Sequence, residues 1–260
     1  MIKKRLIGVV TVKNGWAVQS FGYRRYLPLG KPECIVENLD RWGADEIWVQ
    51  VIDRSTVNLE PDFNLLKRLA ALGLGTPLIY AGGISSVSDA VKVIQLGADR
   101  IVVDALLHDN LLLVRDISER LGAQALIGSL PLSWQNQKLM WLDYRAQVSQ
   151  KISDELIALI QMGAISEMVI SDWQHEGCAG QFEQKLIETF PLNNIPLIAF
   201  GGLSQPDQMM QLLRMPNVVA VAVGNFLSYR EHAIQKYKEE LISMSLRLAS
   251  YQSTFSSIAN

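Results

Sequence analysis

Two glycine pairs carry the clearest chemical signal in this 260-residue sequence. Ile79-Tyr80-Ala81-Gly82-Gly83-Ile84-Ser85 returns as Ile198-Ala199-Phe200-Gly201-Gly202-Leu203-Ser204, offset by 119 residues. Paired glycines at a strand end let backbone N–H groups approach an anion with no Cβ in the way, and the N-terminus of a following helix adds a favourable dipole. That chemistry is phosphate binding. Each pair has a companion further along, Asp104-Ala105 for the first and Gly224-Asn225 for the second, and Gly177 and Gly180 are placed to add amides to the second. The expected phosphate residues are Gly82, Gly83, Asp104 and Ala105 in one cradle and Gly177, Gly201, Gly202, Gly224 and Asn225 in the other. Two plainer uses compete with this reading: glycines that only turn tight loops, and an Asp104 that caps a helix rather than facing a ligand. Asp53 and Asp172 occupy matching positions in the two halves, so they are the candidates for acid and base work, with helix capping or loop bonding as the alternative. His175, beside Glu176, is a candidate proton carrier, and simple solvent exposure is its competing reading. His108 and His232 fall in or near outer helices and read as structural.

The elements that must position these residues alternate. Short β-branched runs are expected as strands at 6–12, 46–52, 77–81, 100–104, 125–130, 167–172, 196–200 and 218–223, with helical segments such as 87–96, 153–162, 206–213 and 230–249 following them. Eight strand–helix cycles in one chain of this length predict an α/β fold of the (β/α)8 TIM-barrel class. The repeat supports a half-barrel internal duplication, since Ile52-Asp53 also matches Ser171-Asp172 and Val103-Asp104-Ala105 matches Val223-Gly224-Asn225. The expected organisation is one domain over 1–260, with half-barrels at about 1–122 and 123–250. The segment 131–147, bearing Trp134, Met140, Trp141 and Tyr144, is read as the one long strand-to-helix connection, a hairpin inserted over the mouth.

Composition narrows the classes. Lys and Arg total 24 against 26 Asp and Glu, with no basic block, so nucleic acid is not an expected partner. No apolar run approaches the roughly 20 residues that span a bilayer, and the start of the chain reads as a strand rather than a secretion signal, so a soluble cytoplasmic protein without a membrane partner is expected. Cys34 and Cys178 show no paired spacing, and neither a metal site nor a cofactor is expected.

Val12-Lys13-Asn14-Gly15, the two glycine pairs, Gly97-Ala98-Asp99-Arg100, Glu176-Gly177 and Tyr229-Arg230-Glu231 together resemble the cyclase subunit of imidazole glycerol phosphate synthase, the HisF-type barrel. The resemblance runs over nearly the whole chain. It implies a bisphosphorylated ligand across the mouth and ammonia arriving through the barrel from a HisH-type glutaminase subunit docked on the amino-terminal face. It also implies an ammonia gate of four charged residues at the strand starts, matched by Arg5, Glu46, Arg100 and Glu167. Departures from the pattern lie on the ligand side. The two aspartates that serve the family as acid and base are Thr11 and Pro131 here, a further strand-end aspartate is Val51, and a first-loop lysine is Gln19. A positioned acid or base contributes roughly 10²- to 10⁴-fold, so the ordinary cyclase reaction is not expected. Val10-Thr11-Val12-Lys13-Asn14-Gly15 is similar to the first-strand motif of the divergent, glycosyl amidation-associated branch. The resemblance therefore implies a synthase subunit of a glutamine amidotransferase complex, acting in amidation of a surface-polysaccharide sugar. Its alternatives are a histidine-pathway cyclase with altered acid and base, and a non-catalytic barrel that binds a phosphate ligand.

Overall fold

The computed structural model describes residues 3–247. Its strands are β1 (Arg5–Lys13), β2 (Trp16–Phe21), β3 (Arg25–Gly30), β4 (Glu46–Val51), β5 (Leu78–Ala81), β6 (Arg100–Val103), β7 (Leu126–Gln135), β8 (Lys138–Asp143), β9 (Val148–Gln150), β10 (Glu167–Asp172), β11 (Leu197–Phe200) and β12 (Val218–Val223). Eight of them pair in parallel in the order β1-β4-β5-β6-β7-β10-β11-β12, and β12 returns to β1, which closes a (β/α)8 TIM barrel. The strand positions read from the sequence agree to within a residue or two, because such strands are apolar runs buried on both faces, except that β7 runs five residues past its expected end into the insertion.

Side chains alternate across a strand, so every second residue points into the barrel. Ile7, Val9, Trp48, Ile79, Val102, Ile127, Val169, Ile198, Phe200 and Ala220 form that interior cluster. Within it, Trp48 and Phe200 pack edge to face at 5.1 Å between ring centroids. Counting in twos from these residues places Arg5, Glu46, Arg100 and Glu167 inward at the bottom, and Thr11, Gln50, Asp104, Ser129, Pro131 and Ser171 inward at the top.

The helices α1 (Pro32–Arg41), α2 (Phe63–Ala70), α3 (Val87–Gln95), α4 (Ala105–Asp109), α5 (Leu111–Leu121), α6 (Asp154–Gln161), α7 (Lys185–Glu188), α8 (Pro206–Arg214) and α9 (Ala233–Glu240) cover the outside of the sheet. Their starts follow local rules: Pro32 stands in the first turn of α1, Ser86 accepts from the Asp89 N–H for α3, and Ser153 accepts from the Leu156 N–H for α6. α9 is shorter than the expected 230–249 segment. His232 and Ser245, both at φ +56°, bracket it and the 3₁₀ turn at Ile242–Met244. Ala249 and the end of the second half-barrel lie outside the described residues. Among the described residues, no helix is long and apolar enough to cross a membrane.

Two antiparallel insertions rise over the carboxyl-terminal mouth. The expected one is built from the extension of β7 with β8, and β9 adds a third strand. The other, β2 with β3, corrects the expectation of a single long connection. Its signal lies in the sequence: Asn14-Gly15 takes φ +50° and +77°, the two-residue turn that joins antiparallel strands.

Candidate ligand site at the barrel mouth

The two glycine pairs end β5 and β11 with the same backbone. Gly82 and Gly83 have φ of +124° and +74°, Gly201 and Gly202 +103° and +69°. Packing also demands glycine there, since a Cβ on Gly82 would lie 2.3 Å from the Val51 carbonyl oxygen and one on Gly201 2.5 Å from that of Asp172. Backbone shape is therefore repeated between the halves, but hydrogen bonding is not. The Gly83 N–H donates to Ser55 Oγ at 3.3 Å, and the Ala105 N–H donates to the Asp104 carboxylate, which caps α4. The other Asp104 oxygen accepts from the Tyr144 hydroxyl at 2.9 Å. Burial raises the Asp104 pKa, opposed by these two bonds.

Around the second pair, Gly177, Gly201, Gly202, Gly224 and Asn225 line one shallow pocket with Thr11 and Glu176. Gly180 sits one turn away, under Gln208. The loop amides of Gly177 and Gly202 find no acceptor among the described residues. Asn225 clasps the β2 backbone: its Oδ1 accepts from the Ser20 N–H at 3.0 Å and its Nδ2 donates to the Ser20 carbonyl. Glu176 accepts from Ser20 Oγ at 3.1 Å and from the Tyr23 N–H at 3.3 Å, so the carboxyl faces the β2–β3 hairpin. Burial pushes its pKa up to about 7 against those hydrogen bonds.

A larger cavity, of about 260 Å³, opens over the first half of the mouth. Its floor is Trp48, Gln50, Ala81, Val102, Ser129 and Ser171, and its walls are Tyr23, Tyr26, Ser55, Asp104, Pro131, Tyr144 and Trp173. The sequence reading missed Trp48, Gln50, Tyr23 and Trp173, although strand parity from Glu46 points to the first two. Arg24 is the one cation lining the cavity among the described residues, and it is exposed at the hairpin tip.

Both candidate carboxylates accept hydrogen bonds within the chain, although the buried Oδ1 of Asp53 has no partner among the described residues. Asp53 accepts from the Asn14 N–H at 2.7 Å. Asp172, 1% exposed, accepts from the His175 N–H, from His175 Nδ1 at 2.7 Å and from the Glu183 N–H at 2.8 Å. Solvent exposure is thus not the whole account of His175, which has Asp172 as a partner. His108 stacks on Trp141 at 3.5 Å, tying the β7–β8 insertion to α4.

At the other end of the axis the four inward charges alternate in sign and close into a ring. Arg5 reaches Glu46 at 2.9 Å and Glu167 at 2.8 Å, and Arg100 reaches Glu167 at 2.9 Å and Glu46 at 3.4 Å. Burial, together with the neighbouring Glu167, raises the Glu46 pKa against the two arginines.

Residues 5–233 match the profile of the histidine biosynthesis protein family. The chain belongs to this family. Within it, the chain is 25% identical over 246 residues to the imidazole glycerol phosphate synthase subunit HisF of Staphylococcus saprophyticus, covering 93% of this chain and 97% of that one. It is 25% identical over 254 residues to a Vibrio vulnificus protein provisionally named as the synthase subunit hisF2, at 96% and 93% coverage. A provisional hisF2 of Pseudomonas aeruginosa is 24% identical over 237 residues, at 89% and 94% coverage. The histidine biosynthesis family and these subunits thus span the barrel, both insertions and both ends of its axis.

Proposed function

We propose that the chain is the synthase-type subunit of a glutamine amidotransferase pair, receiving ammonia from a glutaminase that docks on the amino-terminal face of the barrel. The single observation that carries this reading is the ring of Arg5, Glu46, Arg100 and Glu167. A barrel that needed only stability at this end could close it with apolar side chains, whereas four partly buried charges in alternation form a polar constriction on the axis. Similarity to proteins named as subunits of a synthase supports the same reading. Between ring and mouth, Trp48 and Phe200 pack edge to face at 5.1 Å within the barrel interior.

At the mouth the ligand is phosphate-bearing, and support for the two expected cradles is unequal. The loop amides of Gly177 and Gly202 are available in the second, and those of Gly83 and Ala105 are bonded within the chain in the first. Thr11 and Pro131 bring no titratable group to the cavity side of the strands, so the chemistry is delivery of nitrogen for amidation, with a surface-polysaccharide sugar as the acceptor class, rather than cyclisation. The family description keeps a second reading beside it, a histidine-pathway cyclase. Co-expression with a small glutaminase tests the first: stable co-purification and stimulated glutamine hydrolysis are expected, and a chain that never associates sinks it. Rescue of a histidine auxotroph would select the cyclase instead.

A further inference from the structure

The first half of the mouth is built against phosphate. Two of its candidate amides are occupied, by Ser55 Oγ on Gly83 and by the Asp104 carboxylate on Ala105. An incoming phosphate would have to displace a carboxylate and then sit beside it, a like-charge contact that binding sites avoid. Glu176 borders the second cradle, but its Oε2 is held by Ser20 and Tyr23 of the hairpin and caps none of the cradle's amides.

What the cavity offers is a different set of groups. Trp48 Nε1 and Trp173 Nε1 are buried donors and Gln50 Oε1 a buried acceptor, and none of the three has a hydrogen-bond partner among the described residues. All three residues line the same cavity of about 260 Å³, and Trp48 itself is 2% exposed. Buried polar atoms without partners are costly unless a ligand supplies them. Around them stand the hydroxyls of Tyr23, Tyr26, Tyr144, Ser55, Ser129 and Ser171, and the indole and phenol rings give flat apolar walls. A group that fits has to accept from indole N–H donors, donate to an amide oxygen and a carboxylate, and lie flat against aromatic rings. Hydroxyls both donate and accept, so a hydroxyl-bearing ring meets all three demands while an anion meets only the first.

We propose that this cavity takes the uncharged ring of a sugar, so that the ligand of the mouth is a sugar monophosphate whose one phosphate lies in the second cradle. The inference rests on the proposed reading of that cradle as a phosphate site. Calorimetric titration of the whole chain with fructose, fructose 6-phosphate and fructose 1,6-bisphosphate tests it, since the two esters share the furanose ring and differ by one phosphate, and fructose carries none. The monophosphate is expected to bind about tenfold or more tighter than the bisphosphate, and Asp104→Asn to narrow that gap. Trp48→Phe is expected to weaken the monophosphate about tenfold, with Trp173→Phe as the second variant if Trp48→Phe does not fold. Bisphosphate binding as tight as monophosphate overturns the inference and leaves the phosphate reading standing. Fructose binding that Trp48→Phe abolishes, unimproved by either ester, upholds the sugar half and removes phosphate from the second cradle. No binding by any probe overturns the inference outright. Recovery of a glutaminase with the same preparation reports separately on the amidotransferase reading.

Discussion

Glu176 shows how a residue's chemistry is set by what buries it. In the sequence it is half of a Glu-Gly dipeptide after a strand; in the fold it is 4% exposed beneath the β2–β3 hairpin, with its pKa pushed up to about 7. A carboxyl raised above its unfolded value stabilises the fold fully below about pH 4.5, and that contribution is lost as pH climbs through about 7. A tenfold change in acid dissociation constant corresponds to about 1.4 kcal/mol, so the fold should lose roughly 3 kcal/mol across that window. Urea unfolding of Glu176→Gln should show a flatter dependence between these limits, since the amide keeps an acceptor for Ser20 and Tyr23 but cannot ionise. A variant with the same slope as the parent would disprove the assignment. Asp172 is the contrasting residue: three hydrogen-bond donors from the following loop surround it, so its identity follows from loop geometry.

At the scale of elements, the β2–β3 hairpin matters most, because it roofs the second cradle through few contacts. Asn225 holds Ser20 by both backbone groups, the Gly22 N–H donates to the Glu176 carbonyl, and Gly177 has no room for a Cβ, which would lie 2.6 Å from the Ser20 oxygen. Losing a side-chain clasp of this kind costs about 1–3 kcal/mol locally. Asn225→Ala should therefore speed amide hydrogen exchange at Ser20, Gly22 and Tyr23 by about 10- to 100-fold, while leaving β11 and β12 protected. Uniform acceleration across the barrel would show the clasp to be global instead. The β7–β8 insertion is tied down differently, by Tyr144 to Asp104 and by a two-pronged Arg145–Asp109 pair on α4. One insertion is thus fastened to the cavity wall and the other to the second cradle.

Across the whole molecule the two ends of the barrel axis are specialised. The lower ring is a closed cycle of ion pairs at strand starts whose side chains are 8–21% exposed. Removing one cation leaves Glu46 and Glu167 facing each other with half of their partners gone. Breaking a pair in such a site costs roughly 3 kcal/mol, so Arg100→Gln should lower the urea midpoint. It should also weaken coupling between glutamine hydrolysis and nitrogen transfer in the glutaminase complex. Unchanged coupling in a folded Arg100→Gln complex would remove the ring from the transfer path. A second long-range tie, Lys238 to Asp45 at 2.8 Å with both side chains below 5% exposure, fixes α9 across the bottom of the barrel.

The barrel, its eight strands and the repeated glycine pairs were legible because they depend on local periodicity and on backbone sterics, which short stretches of sequence record directly. Asn14-Gly15 encodes the first hairpin just as locally, but its turn chemistry is hidden when the two residues are taken only as part of a longer motif. What the tertiary structure alone decided is which hydrogen bonds remain to be made. Whether the amides of Gly83 and Gly202 differ depends on Ser55, 28 residues before the one, and on the loop after β10 that packs against the other. Likewise, Trp48, Gln50 and Trp173 come to line one cavity only when β4 and the loop after β10 are brought together by closure of the barrel. Periodicity says which way a side chain points; only closure of the barrel says what it meets there.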